Sequence, residues 1–208
     1  MAKIEVEHRG LLTEKKFTEL NKYLKKNGKF LGEKDRFSVI YFLNGEKENF
    51  DLDQSCLNDL RVRITNKKAK LVLKHGEWSG KDARKEFSFP IETKKFGEMI
   101  EFLDALGFYY GALQATKTFL YKYKGAEIAL VKVPGWGYYF EVEVLTGFNL
   151  VDKANEKIAN LCKEFGVKVI NNEDFLKLCE SLNMRPGFKF NFRKEKFSDI
   201  KKRFVDYF

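Results

Sequence analysis

Two pairs of glutamates stand out because a single apolar residue separates the members of each pair. Glu5 and Glu7 form the first pair, and Glu141 and Glu143 form the second. Residues i and i+2 of a β-strand point to the same face, so each pair would place two carboxylates side by side. Carboxylate oxygens are ligands that hard divalent cations prefer. We therefore expect both pairs to offer metal ligands.

Basic residues follow the same alternation on three later segments, again with apolar residues at the intervening positions. The set comprises Arg61, Arg63, Lys70, Lys74 and Arg84, with Glu86 two positions after Arg84. Arginine gives forked hydrogen bonds to phosphate, and lysine gives a point charge. Burying such charges is costly unless they are paired or bound to an ion. The pattern thus predicts an anion with several phosphates, together with a divalent cation that bridges carboxylate and phosphate oxygens.

The alternative interpretation of these charged faces is structural. Antiparallel strands with one solvated face also alternate charged and apolar residues, and cross-strand ion pairs stabilise them. That interpretation suits any one strand. The same polarity on five strands favours a sheet with a charged interior, because a sheet covered by helices has few solvated faces.

Periodicity and turn residues predict the elements that must position these side chains. Strands are expected at about 3–11, 29–44, 59–66, 69–77, 82–91, 107–124, 126–134 and 137–147. Helices are expected at about 13–27, 93–106, 151–166 and 173–182, with a short one after 195. Thr93 is the expected N-cap of the second helix. The predicted fold is α+β: a single domain over 1–208, built as an eight-stranded antiparallel β tunnel or barrel with a charged interior, flanked by helices and ending in a helical C-terminal tail.

Composition narrows the classes of function. The chain has 208 residues and a formal net charge of +9, which favours an acidic partner. No apolar run approaches the roughly 20 residues that a membrane span needs, so a cytoplasmic protein is expected. Cys56, Cys162 and Cys179 are expected to be reduced and structural. With only two histidines and no paired cysteines, a zinc site is not expected.

The charged segments resemble the CYTH domains, also called triphosphate tunnel metalloenzymes. This family includes class IV adenylate cyclases, thiamine triphosphatases and inorganic tripolyphosphatases. Its N-terminal ExExK signature looks like the segment from Glu5 to Arg9, with arginine in place of lysine, and its closing ExE strand looks like Glu141 and Glu143. The order and spacing of the motifs are similar over roughly residues 1–147.

The resemblance implies roles for these residues and a Mg²⁺ or Mn²⁺ cofactor. The implied metal ligands are Glu5, Glu7, Glu141 and Glu143. The implied phosphate contacts are Arg9, Arg61, Arg63, Lys74 and Arg84, with Glu86 holding the basic residues or joining the metal set. Lys70 and Lys117 complete the expected substrate-binding residues. The expected catalytic residues are Glu5, Glu7 and Arg9.

Two positions depart from the family pattern. The family usually has a KxR pair before its last hairpin, where this chain has Lys117 followed two positions later by Phe119. The family also tends to carry an aspartate in a phrase like LDxV, and here Val131 stands at that position. Valine cannot bind a metal ion, so one carboxylate and one phosphate clamp are missing.

Three functions are compatible with these observations. The first is an enzyme, a monomer or homodimer, that cyclises a nucleoside triphosphate or hydrolyses a triphosphate such as ATP, thiamine triphosphate or tripolyphosphate. The second is a catalytically weak module that binds nucleotide, polyphosphate or triphosphorylated RNA. The third, which is less favoured, is nucleic-acid binding by the basic C-terminal tail. We expect instead that Phe197, Ile200 and Phe204 pack that tail inward.

Overall fold

Alternating apolar residues build nine segments of the described chain into antiparallel strands. The computed structural model describes residues 4–42, 58–75, 85–183, 185 and 187–208. The strands are β1 (Ile4–Leu12), β2 (Lys29–Tyr41), β3 (Asn58–Thr65), β4 (Lys68–His75), β5 (Lys85–Ile91), β6 (Tyr110–Tyr123), β7 (Ala126–Val133), β8 (Gly137–Thr146) and β9 (Lys189–Asn191). The hydrogen-bonded order is β1-β8-β7-β6-β2-β3-β4-β5, and β9 pairs with β6. The predicted eight-stranded antiparallel sheet is confirmed, and β9 is an additional short strand.

Helices connect and flank these strands. They are α1 (Glu14–Asn27), α2 (Phe96–Ala105), α3 (Val151–Phe165), α4 (Asn172–Asn183) and α5 (Phe197–Arg203). Thr13 caps α1, because its side chain accepts a hydrogen bond from the Lys16 N–H at 3.2 Å. Gly166 ends α3 in the left-handed conformation, with φ 61° and ψ 43°, which glycine adopts without steric cost.

The predicted N-cap of α2 is wrong. Thr93 opens a short 3₁₀ turn (Thr93–Lys95) that precedes α2, and its hydroxyl donates to the Lys67 carbonyl at 2.7 Å. Lys95 occupies the N-cap position and makes no side-chain cap hydrogen bond. The threonine therefore fastens the helix entry to the turn between β3 and β4 instead of capping the helix.

The chain divides into two compact units. Unit 1 comprises residues 1–34 and 116–176, and unit 2 comprises residues 35–115 and 177–208. The core of unit 1 is formed by α1, α3 and one face of the strands β1, β6, β7 and β8. Leu24, Ile158 and Phe140 are fully buried there, and each such side chain contributes about 1.5–3 kcal/mol relative to exposure. The apolar stripes of α1 and α3 are core, as their spacing predicts.

Unit 2 has its own core, rich in aromatic residues. Phe37 of β2 contacts the rings of Phe204 and Phe208, with centroids 4.8 and 5.2 Å apart. Phe96 of α2 lies 5.5 Å from Phe197, and Ile200 of α5 is fully buried. The inward packing predicted for the C-terminal tail is thus confirmed.

Two further expectations concern cysteine and membranes. Cys162 is free and buried within α3, and burial raises the pKa of its thiol to about 11, so it is the unreactive core residue expected. Cys56 and the side chain of Cys179 lie outside the described residues. Within the described part of the chain, no helix is long and apolar enough to span a membrane.

Candidate functional site

Unit 1 carries an acidic face on β1, β8 and β7. Glu7 of β1 lies directly opposite Glu143 of β8, and Arg9 lies opposite Glu141. The intervening residues, among them Val6 and Val142, point into the helix-covered core. The pleat therefore places these charges on the face away from α1 and α3, as the alternation predicts. Glu5 lies on the same strand two residues before Glu7, and its side chain is outside the described part.

Sequence reasoning missed Glu127. This residue of β7 lies opposite Glu143, which lies opposite Glu7, so three carboxylates form one row across adjacent strands. Like charges directly opposite each other destabilise a sheet unless a cation or a donor compensates them. Glu127 stands alone in the sequence, and only the pairing register brings it into the row. Its one signal is the alternation of Ala126, Glu127 and Ile128.

Arg9 supplies one compensating charge on this face. Its Nη2 lies 2.8 Å from Glu7 Oε1, and both side chains are largely buried, with 25% and 22% of their surface exposed. The contact is an ion pair without hydrogen-bond geometry, since Glu7 Oε1 is buried and receives no hydrogen bond from the described residues. Cζ of Arg9 also lies 4.4 Å from the centroid of the Phe175 ring.

The acidic face fits a divalent cation by its donor chemistry. Its ligand atoms are carboxylate oxygens, and Glu7 Oε1 accepts no hydrogen bond from the described residues, although it forms an ion pair with Arg9. Among the described residues, no three histidine, cysteine, aspartate or glutamate side chains are gathered closely enough to hold a metal ion. Magnesium, however, is usually bound by one or two carboxylates together with substrate phosphates and water. Glu7 and Glu143 would be sufficient for that mode of binding.

Unit 2 carries a basic face on β3, β4 and β5. Arg63 lies opposite Lys70, and in a second row Lys74 lies between Asp59 of β3 and Glu86 of β5. The opposite face, which includes Val62 and Ile64, packs into the aromatic core. The alternation in the sequence therefore predicted correctly the face of the sheet that carries Arg61, Arg63, Lys70, Lys74 and Glu86.

Asp59 is the second residue that sequence reasoning missed. Its carboxylate oxygens lie 2.6 Å from Arg61 Nε and 2.5 Å from Arg61 Nη2, which is a forked ion pair. The two side chains are 13% and 17% exposed. Asp59 therefore orients Arg61 and offsets part of its charge. The signal was available, because Asp59 is two residues before Arg61 and belongs to the same alternating set.

Arg63 is a largely buried basic group on this face, with 13% of its side chain exposed. Burial lowers the pKa of its guanidinium, and the Glu86 carboxylate acts in the opposite direction. Glu86 lies 3.7 Å from Arg63 and 3.6 Å from Lys74, so it is a loose partner to both. Ser38 of β2 lies opposite Arg63 and is fully buried, and its hydroxyl has no hydrogen-bond partner among the described residues.

Lys117 shares its side of β6 with Phe119 and Tyr121, which contact the helix-covered core, and it pairs with Glu33 at 3.4 Å. It is therefore not brought to the face that carries Glu7 and Glu143. Val131, where the family tends to have aspartate, is 2% exposed. Arg84 lies outside the described residues.

Comparison with solved structures finds several proteins that have the same fold as this chain. A protein from Pyrococcus horikoshii superposes with a TM-score of 0.64 at 23% identity, covering 86% of this chain and 99% of that one. A candidate adenylate cyclase from Vibrio parahaemolyticus gives 0.59 at 15% identity, covering 85% and 99%. A candidate adenylyl cyclase from Hippeastrum, described as having a dominant triphosphatase activity, gives 0.56 at 18% identity, covering 89% and 98%. At these identities the likeness shows the fold alone, and it confirms the predicted tunnel-family fold.

Comparison of sequences gives the family. No curated protein matches the chain. The model of the CYTH domain matches residues 3–175, which include the strands of the acidic face and those of the basic face. The chain belongs to the CYTH domain family.

Proposed function

We propose that this protein binds a triphosphate substrate together with Mg²⁺ or Mn²⁺ and processes it, by hydrolysis or by cyclisation of a nucleoside triphosphate. The observation that carries the proposal is the face of the sheet on which the charged side chains lie. In each unit the helix-covered side of the strands is mainly apolar, and the predicted site residues Glu7, Glu143, Arg61 and Arg63 lie on the other side. Membership of the CYTH domain family also supports triphosphate chemistry.

The basic face of unit 2 is assigned to the phosphates. Arg61, Arg63, Lys70 and Lys74 carry four positive charges, which Asp59 and Glu86 offset only in part. Half-buried guanidinium groups bind phosphate oxygens strongly because little water screens them. As the transferred phosphoryl group gains charge in the transition state, these donors would stabilise it without reorganising.

The acidic face of unit 1 is assigned to the cation, with Glu7 and Glu143 as ligands and Glu5 and Glu141 beside them. A bound divalent ion would neutralise phosphate charge and act as a Lewis acid. Glu127, in the same row as Glu143, would add negative potential that favours the ion. Arg9 is assigned to a phosphate oxygen, since its guanidinium has donors beyond the one near Glu7.

The two reactions differ in the attacking group. In hydrolysis, water attacks the terminal phosphorus and the bond to the bridging oxygen breaks, releasing phosphate. In cyclisation, the ribose 3′-hydroxyl attacks the α-phosphorus and pyrophosphate leaves. Both need the charge stabilisation described above, so the same residues would serve either reaction.

A second candidate function is binding without efficient turnover. Two observations favour it: the buried Val131 stands where the family tends to have aspartate, and Lys117 lies on the helix-covered side of β6. Such a module would hold nucleotide, polyphosphate or a triphosphorylated RNA end on the basic face.

A phosphorus NMR time course tests the proposal. Separate samples of ATP, thiamine triphosphate and tripolyphosphate are followed with Mg²⁺ or Mn²⁺, beside the variant Glu141→Gln/Glu143→Gln. Product that forms only with metal and intact glutamates is the expected result, and its identity separates cyclase from phosphatase. Shifted or broadened substrate lines without product would favour the binding module. Phosphorus lines that stay unchanged with every substrate would contradict both the enzymatic function and the binding function.

A further inference from the structure

We infer that Phe175 is a positioning residue that holds the Arg9 guanidinium, and that this contact is the reason for arginine, rather than lysine, at position 9. The inference rests on the assignment of Arg9 to a phosphate oxygen in the proposed function. It is carried by a segment of unit 1 that follows α3 and runs beside β1. All the residues involved belong to that unit.

The segment is fastened to β1 by its backbone. After Gly166, the Val167 N–H donates to the Cys162 carbonyl at 3.0 Å, and the Ile170 N–H donates to the Arg9 carbonyl at 2.9 Å. Strand β1 ends the hydrogen-bonded strand order, so this bond occupies part of an edge. Gly10 permits the close approach, since a Cβ there would lie 2.0 Å from the Lys168 carbonyl oxygen.

Asn171 then fixes the start of α4. The Asp174 N–H donates to Asn171 Oδ1 at 2.8 Å, and the Phe175 N–H donates to the Asn171 carbonyl at 3.0 Å. These bonds set the first turn of the helix at a fixed distance from Ile170. The position of the Phe175 ring therefore follows from the same attachment that holds the Arg9 backbone.

The Arg9 side chain lies between an aromatic ring and a carboxylate. Its Cζ is 4.4 Å from the centre of the Phe175 ring, and its Nη2 is 2.8 Å from Glu7 Oε1. A planar guanidinium stacks on an aromatic face and still presents several N–H groups at its edge. A lysine ammonium is a compact, strongly hydrated charge on a flexible stem and gains less from such a ring. Phe175 thus orders Arg9 before the phosphate binds.

A double-mutant cycle on tripolyphosphate binding, measured by titration calorimetry with Mg²⁺ present, tests this role. The variants are Phe175→Leu, Arg9→Lys and the two combined. Phe175→Leu alone is expected to weaken binding about two- to tenfold, the range for a partly desolvated cation–π contact. In the Arg9→Lys background, the same change is expected to have almost no further effect.

Three measurements separate positioning from simple packing. Phe175→Tyr retains an aromatic face and should keep wild-type affinity. Phe102→Leu, a change of the same size at a residue that is 55% exposed on α2, should leave binding unaltered. Proton NMR should show the Arg9 side-chain protons shifted upfield by the ring in the wild type and in Phe175→Tyr, and released in Phe175→Leu.

The outcomes are distinguishable. If the wild type binds and the effects of Phe175→Leu and Arg9→Lys multiply independently, the positioning role is overturned and the proposed function stands. If the wild type does not bind tripolyphosphate at all, the proposed function fails and this role fails with it.

Discussion

Buried hydroxyl groups in this protein differ in whether another residue satisfies them. Tyr41 of β2 is 2% exposed, and its hydroxyl has no hydrogen-bond partner among the described residues. Tyr121 of β6 is fully buried, and its hydroxyl donates to Asn21 of α1. Burial raises the pKa of both phenols, so both stay neutral at physiological pH. The two tyrosines therefore differ mainly in the hydrogen bond.

The first prediction compares the same substitution at these two sites. Tyr41→Phe removes an unsatisfied hydroxyl and should change the free energy of unfolding by less than about 0.5 kcal/mol, or raise it. Tyr121→Phe breaks a hydrogen bond and should cost about 1 kcal/mol. Denaturant unfolding at neutral pH measures both. Equal losses for the two variants would show that the Tyr41 hydroxyl has a partner in solution.

At the scale of elements, α1, α3 and the turn after β6 are joined by one carboxylate. Lys124 Nζ lies 2.8 and 2.7 Å from the two oxygens of Glu164, and the Tyr123 hydroxyl donates to the same carboxylate at 2.8 Å. Tyr23 of α1 adds a longer hydrogen bond at 3.3 Å. These hydrogen bonds, that from Lys124 first, lower the pKa of Glu164.

The second prediction is a pH dependence with a definite sign. Because the folded pKa of Glu164 lies below its unfolded value of about 4.3, its contribution to stability is complete above that pH. The contribution is lost as the pH falls through the folded pKa. The wild type should therefore lose stability below about pH 4.3, and Glu164→Gln should lose less. We expect the difference in the free energy of unfolding to be less than about 1 kcal/mol, because the carboxylate is 31% exposed. Thermal unfolding across acidic pH measures this.

The matched control for that experiment is Glu156→Gln. Glu156 is an exposed glutamate on the same helix, α3, so the change removes the same charge without the hydrogen bonds. Below about pH 4.3, the stability of this variant should fall with pH as that of the wild type does. If the Glu164 and Glu156 variants had identical profiles, the Lys124–Glu164–Tyr123 contacts would carry no stability.

The third prediction concerns the contact between β1 and the segment after α3. Gly10→Ala would place a Cβ 2.0 Å from the Lys168 carbonyl oxygen and 2.8 Å from the Phe140 ring, so backbone must move. We expect a loss of about 2–3 kcal/mol, typical of overpacking, measured by denaturant unfolding. Gly147→Ala is the control, because a Cβ there meets nothing within 4 Å. Equal stability of the two variants would refute the close approach.

The elements were largely predictable from the sequence, and their partners were not. Period-two alternation gave the strands and the correct face for Glu7, Arg61 and Arg63. Strand β9 was missed because three residues, Lys189–Asn191, are too few for a period to appear. Glu127 was missed because strand register is set by pairing, which a single strand does not encode.

At the scale of the whole molecule, charge is unevenly distributed between the two units. The chain has a net charge of +9, yet the charged face of unit 1 is dominated by glutamates, whereas that of unit 2 is dominated by arginine and lysine. The total charge predicted an acidic partner. The alternation of residues along each strand was needed to assign the charged side chains to one face of the sheet. Metal identity and the organic part of the substrate are not encoded in either property.

The fourth prediction separates a local effect of charge from a global one. Arg61→Gln/Arg63→Gln removes two charges from the basic face, and Lys201→Gln/Lys202→Gln removes two from the exposed side of α5. Both variants have the same net charge. The first should weaken tripolyphosphate binding at least tenfold, since charge-assisted hydrogen bonds are lost, each worth about 1.5–3 kcal/mol. The second should weaken it slightly, and less so in salt, which screens distant charges.

Calorimetric titration of tripolyphosphate with and without Mg²⁺, comparing the wild type with Glu143→Gln, tests the two charged faces most directly. We expect Mg²⁺ to tighten binding to the wild type, and Glu143→Gln to remove this gain while retaining the metal-free affinity of the basic face. An equal gain from Mg²⁺ in both proteins would contradict the assignment of the acidic face to the cation, and absence of binding to the wild type would contradict the triphosphate function itself.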